Sequence, residues 1–205
     1  KSAFELGFFA AFSSLLIGGV LGAFSGLYAG SLFDYLIIWF FSSLDCVPFY
    51  LLISAIAFLV KDNPYAVHIA MILTMWTSVC KIIRGQVMKL RNLDFVTAAR
   101  LLGAPDRTII LRHIIPNLMP ILLIEATLIF VTAIKTEAIL SFLGLGSRGG
   151  VTWGIMLSES TAEATAGILN NFLAASCSMS GLVVAFNFLA ESLQKHISLQ
   201  DNYHV

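Results

Sequence analysis

Residues 94–117 read DFVTAARLLGAPDRTIILRHIIPN, and this stretch decides how the rest of the chain is read. It is a long polar interruption in an otherwise apolar sequence. Backbone enters hydrocarbon only where its polar groups are satisfied internally, so a cationic, structured segment between two apolar runs reads as a surface element. Asn92 or Asp94 can N-cap a short helix. Phe95 to Leu102 follows, with Ala98 and Ala99 as strong helix formers, and Gly103 supplies the stop. Pro105 suits the first turn of a second helix, with Asp106 near its positive end. That helix is expected to end near Ile115, with Pro116 restarting the chain. Ile109, Ile110, Ile114 and Ile115 form an apolar stripe, and Arg107 and Arg112 lie off it. Two readings follow: a helix lying on lipid, or a knob that docks another protein. The small Ala98–Ala99 face and the glycine turn favour docking, because a lipid-lying helix prefers one long apolar face.

Composition agrees with a membrane setting. The 205 residues are 58% hydrophobic and only 12% charged, with a mean hydropathy of +0.88. Soluble domains carry about 25% charged residues. The formal net charge is zero, which offers no basic field for nucleic acid. Cys46, Cys80 and Cys177 are far apart and make no metal or disulfide pattern, and His68, His113, His196 and His204 are equally scattered. No metal site is expected.

Spanning a bilayer takes about 20 apolar residues. Segments 8–28, 36–60, 66–83, 118–140 and 171–190 meet or approach that length, which predicts an all-α, polytopic membrane helix bundle of about five spans. Ser176, Ser178, Ser180 and Asn187 dilute the last span, so it is expected inside the bundle, where serines bond across to neighbours. Lys81, Arg84, Lys89, Arg91, Arg100, Arg107 and Arg112 are seven of the chain's twelve basic residues, opposed locally by Asp94 and Asp106. The bias toward positive cytoplasmic loops therefore places loop 84–115 in the cytoplasm. Alternation puts Lys1 and loop 147–170 outside and the C-terminus inside. In the first span Ser14, Gly18, Gly22, Gly26 and Gly30 recur at every fourth position, a small-residue face for close helix packing.

Ionisable residues within spans are functional suspects by default. Asp45 and Glu125 fall inside spans two and four, and Lys135 and Glu137 near the outer end of span four. Each either lines a solute path, where an acid would attract an amine or a cation, or pairs between helices or snorkels to the interface. For Lys135 and Glu137 the second reading is preferred; for Asp45 and Glu125 both stay open.

The loop resembles the EAA loop of ABC-importer permeases: Thr97-Ala98-Ala99, three residues, Gly103, then Ile114-Ile115-Pro116. The longer run AARLLGAPDRTIILRHIIPN is similar to the second permease of dipeptide, oligopeptide and nickel importers. Ala138 to Gly146 (AILSFLGLG), Thr152 to Leu157 (TWGIML) and Ala185 to Leu189 (AFNFL) match that subfamily in order, as do Asp45 and Pro48 in its third span. Two positions depart: Thr97 stands where the pattern has glutamate, and 147–151 lacks the proline-rich run before Trp153-Gly154, so a shorter outer loop is expected.

The resemblance implies a single permease domain of the type I importer kind over 1–205, multi-pass in the bacterial cytoplasmic (inner) membrane, among membrane lipid. Counted against the family, Lys1 falls near the second of six spans, so the first span is expected to lie outside this chain. The resemblance also implies a second permease subunit, two ATP-binding subunits that carry ATP and Mg, and an extracytoplasmic substrate-binding protein. The ATPase-coupling residues it implies are Asp94, Thr97, Ala98, Ala99, Arg100, Gly103, Ala104, Pro105, Arg107 and Pro116. No phosphate loop GxxxxGK[ST] occurs, so this chain is expected to be no enzyme and to hold no cofactor. The rival classes are a secondary transporter, which would show repeated halves and broken helices, and an intramembrane enzyme, which would show converging catalytic groups. Neither pattern is visible.

Overall fold

The computed structural model describes residues 2–146 and 151–201, with only the backbone described at 2 and 196–201. Lys1, positions 147–150 of the outer loop, His204 and the side chain of His196 lie outside the described residues. Among those described, every regular element is helical: α1 (Ser2–Leu27), α2 (Leu32–Asp45), α3 (Phe49–Leu59), α4 (Ala66–Leu90), α5 (Asp94–Leu101), α6 (Asp106–Thr108), a π-helical turn (Ile109–Ile114), α7 (Ile115–Phe142), α8 (Trp153–Thr165) and α9 (Asn170–Asp201).

The small-residue face of α1 is the seam against α4. A Cβ placed on Gly18 would lie 2.5 Å from the Trp76 carbonyl oxygen, on Gly22 2.6 Å from that of Cys80, and on Gly26 2.7 Å from that of Arg84. Side chains are excluded here because one backbone lies directly on the other. Lipid tails are as apolar as leucine, so such packing, rather than hydrophobic exclusion, holds membrane helices together. Gly30, expected in the same stripe, is outside it: α1 has ended, Gly30 sits in a turn at φ +92°, and no atom crowds it.

The order of these contacts sets the topology. Gly18, Gly22 and Gly26 meet Trp76, Cys80 and Arg84 in ascending order, so α1 and α4 run in the same direction. α7 runs opposite to α1, since Gly7 meets Phe130 and Ile134 while Gly19 faces Leu122. Two parallel helices require the chain between them to cross back. The second span does this, but not as the single straight helix expected over 36–60. α2 and α3 meet at 89° across a short break. Pro48 lacks an N–H and drives the residue before it out of helical geometry, which ends α2 near Asp45. With this bent pair counted as one span, the described residues hold up to five segments long and apolar enough to cross a membrane. The ends of α1 and α4, the start of α2, and α5 and α6 then share one face, called here the loop face; α8 lies toward the opposite face.

Three further boundaries differ from expectation. α4 continues to Leu90, so Lys81, Arg84 and Lys89 belong to a helix rather than a loop. Pro116 does not restart the chain: residues 106–142 form one continuous helical rod. Instead of breaking, the helix widens into the π-turn just before Pro116 and Pro120, which suits residues that cannot donate to the preceding turn. Asn117 Nδ2 donates to the His113 carbonyl within this stretch, at 2.7 Å. Finally, α9 lies at the bundle edge, not inside. It packs on α7 through Phe186 stacked on Phe130 (centroids 4.4 Å), but most of its length is exposed. Ser178 donates to its own Ala174 carbonyl, so it needs no neighbouring helix.

If the α1–α4 seam is as tight as described, Gly22→Ala should cost about 1–3 kcal/mol through overpacking. Gly85→Ala, on α4 with no atom from elsewhere within 4 Å of the added carbon, should hold or raise stability by up to about 1 kcal/mol. Thermal unfolding in detergent or nanodiscs compares the two; equal midpoints would contradict the seam.

Candidate functional site

Two polar regions interrupt the apolar bundle. The first lies at the loop face and joins α1, α2 and α4. Asp34, in the first turn of α2, is 1% exposed and accepts four hydrogen bonds. Its Oδ1 takes Ser25 Oγ at 2.5 Å and Arg84 Nε at 2.7 Å; its Oδ2 takes Arg84 Nη2 at 2.8 Å and the Gly30 N–H at 2.9 Å. A bidentate guanidinium on a fully satisfied carboxylate is the arrangement in which a buried ion pair holds. Nearby, Arg91 Nη1 donates to the carbonyls of Gly26, Leu27 and Ala29 at 3.1–3.4 Å, capping the C-terminal end of α1 with a positive charge. Tyr28 donates its hydroxyl to Asp106 Oδ2 at 2.5 Å, tying the end of α1 to the start of α6. That hydrogen bond, with desolvation, lifts the Tyr28 phenol above its ordinary range, so it stays protonated and donating at neutral pH.

The loop is built onto this clasp. Leu93, not Asn92 or Asp94, occupies the N-cap of α5, and no side chain caps it; Asn92 turns back toward the Met88 carbonyl of α4. Asp94 in the first turn and Arg100 in the last complement the helix dipole. At the other end Gly103 has φ +80°, its N–H bonds the Arg100 carbonyl, and the Ala104 N–H bonds the Ala99 carbonyl. This paired closure is a Schellman cap, and it requires the left-handed residue that glycine accepts freely. Pro105 follows as the N-cap of α6.

Val96 and Ala99 are buried and α5 packs on the π-turn, while Ala104 is half-buried against the core. Ala98 faces out, so the two alanines do not form one face. Thr97, Arg100, Pro105 and Arg107 are exposed, and Pro116 lies beyond the loop at the start of α7. Leu101 and Leu102 are 84% and 88% exposed, an apolar pair at the tip beside Arg100.

The second region is a cavity of about 380 Å³ where the α2–α3 break meets α4 and α7. Asp45, Lys81 and Glu125 line it, with the hydroxyls of Thr74, Thr77, Ser78 and Thr132. Asp45 is ion-paired with Lys81, whose ammonium also lies 5.4 Å from the Phe41 ring centre. Glu125 has no ion-pair partner among the described residues. Lys135 and Glu137 are elsewhere. Lys135 is exposed on α7. Glu137, 1% exposed, accepts from Ser141 Oγ at 2.5 Å and Thr152 Oγ1 at 2.6 Å, fastening α7 to the N-cap of α8. Gly154 permits that junction: a Cβ there would lie 2.6 Å from the Ala138 Cα.

A helical bundle with four to five candidate spans and a helix–glycine–helix loop clasped to them defines a multi-pass membrane component. The chain belongs to the family described as binding-protein-dependent transport system inner membrane component, which it matches over residues 18–199. It is 38% identical to the oligopeptide transport system permease protein OppC of Haemophilus influenzae over 159 residues, 77% of this chain and 51% of that one. Against OppC of Bacillus subtilis it is 37% identical over 155 residues, covering 75% and 50% of the two chains. Against the dipeptide transport system permease protein DppC of Bacillus subtilis it is 30% identical over 190 residues, covering 92% and 59%. The chain thus spans about half the length of the curated relatives it matches. In structure it resembles the inward-facing MetNI methionine ABC transporter, with a TM-score of 0.75 at 14% identity, covering 95% of this chain and 92% of that one, a likeness of fold.

Sequence reasoning singled out Asp45 and Glu125, and the structure places both in one cavity. It missed Asp34, Arg84 and Arg91 because hydropathy alone closed the third span at Ile83. Arg84→Met would leave Asp34 buried without its cation, and loss of about 3 kcal/mol is expected. Arg84→Lys, which keeps the charge but not the fork, should fall between. Thermal unfolding of the three proteins checks this ordering.

Proposed function

We propose that this chain is a membrane-spanning permease subunit of an ATP-driven importer, forming half of a translocation path for peptides. Family membership and the peptide-permease relatives support the class and the solute. The observation that carries the coupling role is the rigid loop: a Schellman-closed α5 packed on the π-turn, with Leu101 and Leu102 presented outward and Tyr28 tying α6 to α1. In this reading the loop face is cytoplasmic, as its arginines and lysines favour, and the C-terminus lies on the same side. The exposed leucines enter a groove on one of two ATP-binding subunits, which bind ATP and Mg. A second permease subunit completes the path, and an extracytoplasmic binding protein delivers solute at the opposite face.

The proposed motion is rigid-body. ATP-driven approach of the ATPases displaces α5 and α6, and the rod that begins at Asp106 carries the displacement into α7. The clasp at Asp34 makes α1, α2 and α4 follow as a unit. The single-chain secondary transporter is the weaker reading, since the family it belongs to is named for dependence on a binding protein.

Leu101→Asp with Leu102→Asp should leave unfolding unchanged, because both side chains are exposed, yet abolish co-purification of the ATPases and ATP-dependent peptide uptake in proteoliposomes. Gly103→Val should also abolish co-purification and uptake, here by straining a left-handed position by about 1–2 kcal/mol and so lowering loop stability. Normal uptake and intact ATPase association in both variants would remove the docking assignment.

A further inference from the structure

The mid-membrane cavity has a chemical character that its list of polar residues conceals. Every hydroxyl lining it is already engaged as a donor within its own helix. Thr74 donates to the Ala70 carbonyl at 2.8 Å, Thr77 to Thr74 at 3.2 Å, Ser78 to Met75 at 3.0 Å and Thr132 to Leu128 at 2.8 Å. With its proton committed, each hydroxyl has only oxygen lone pairs left to offer. Asp45 and Lys81 neutralise each other. Glu125 remains as an acid without a cation among the described residues, in a span where a lone charge is costly and an arriving cation would let it ionise. Apart from the occupied Lys81 ammonium, the cavity sets these acceptors and the Glu125 carboxyl in a largely apolar wall. Its volume of about 380 Å³ is in the range of small-molecule sites, roughly 300–1,000 Å³.

We infer that this cavity is a way-station for the α-ammonium group of a peptide, with Glu125 as its counter-ion and the threonine and serine oxygens as acceptors for its remaining N–H groups. An ammonium has three donors and no acceptor, which complements such a lining. A bare divalent metal fits worse: it would require several carboxylate, imidazole or thiolate ligands, and no group of three such residues occurs among the described residues. The Asp45–Lys81 pair has a separate part. It joins the end of α2 to α4 beside the break. The inference rests on the importer reading above and adds to it the group by which the path holds its cargo.

The test uses the assembled importer complex without its binding protein, with dialanine and N-acetyl-dialanine as probes. Calorimetric titration should give dialanine the tighter binding by about ten-fold or more, the effect of one charge-assisted hydrogen bond. Glu125→Gln should weaken dialanine about ten-fold and leave N-acetyl-dialanine unchanged, and Glu125→Asp should keep most of the preference. Equal binding of the two probes by the wild-type complex overturns the inference, and does so even if Glu125→Gln fails to assemble. Glu125→Gln with undiminished dialanine binding also overturns it. ATP-driven uptake by the wild-type complex with its binding protein is scored separately; its absence would sink the importer reading while the probe preference still reports on the cavity.

Discussion

The contact between the backbones of α1 and α4 is the constraint on which the rest of the structure depends. Because Gly18, Gly22 and Gly26 bring the two helices together without side chains between them, their relative register is fixed to within a fraction of a turn. That register aligns them in parallel, which in turn obliges residues 28–65 to return the chain across the bundle. It also decides which charges meet. Gly26 lies against Arg84, so the guanidinium emerges at the level of Ser25 and the start of α2, where Asp34 waits. Two turns further along α4, Arg91 reaches the carbonyls at the end of α1. A slip of one turn along the seam would separate all of these pairs together.

The features legible in the sequence were those encoded locally. The Gly103 cap follows from what one left-handed position demands, and the glycine stripe from a period of four on one helix face. The features that escaped are encoded between distant residues or by competition between local rules. Asp34 and Arg84 are fifty positions apart, and Arg84 lay just beyond the point where hydropathy fell, so it was counted as a loop charge. Pro116 is a strong local signal for a break, yet the core contacts of Ile109, Ile110, Ile114 and Leu118 keep the helix continuous, and the conflict is absorbed by a wider turn. The bend between α2 and α3 was hidden because both halves are uniformly apolar and only Pro48 marks the joint. Ser178 of α9 is misleading for the opposite reason: its hydroxyl is satisfied within the helix, so it carries no information about neighbours.

The two polar regions sit at different depths and share elements. α4 contributes Arg84 and Arg91 to the clasp and Lys81 to the cavity, and the long rod contributes Asp106 at one end, Glu125 in the middle and Glu137 at the far end. Movement of the loop therefore cannot be confined to the loop face. The clasp makes α1, α2 and α4 a single body, while the cavity lies where that body meets α7 and the α2–α3 joint. Its walls thus come from more than one packed unit of the fold.

The π-turn at 109–114 has a consequence for how this chain can change over evolutionary time. Such a turn holds one more residue than the α-helical turn it replaces, so it stores an insertion in the middle of a continuous helix. Removing a residue there would restore ordinary winding and leave everything downstream in nearly the same rotational phase, because the wider turn had already absorbed the extra residue. Glu125 would keep facing its cavity and Glu137 would stay beside Thr152. The six residues next to the loop thus act as a buffer, able to take up or give back one residue while the phase of the rod is kept.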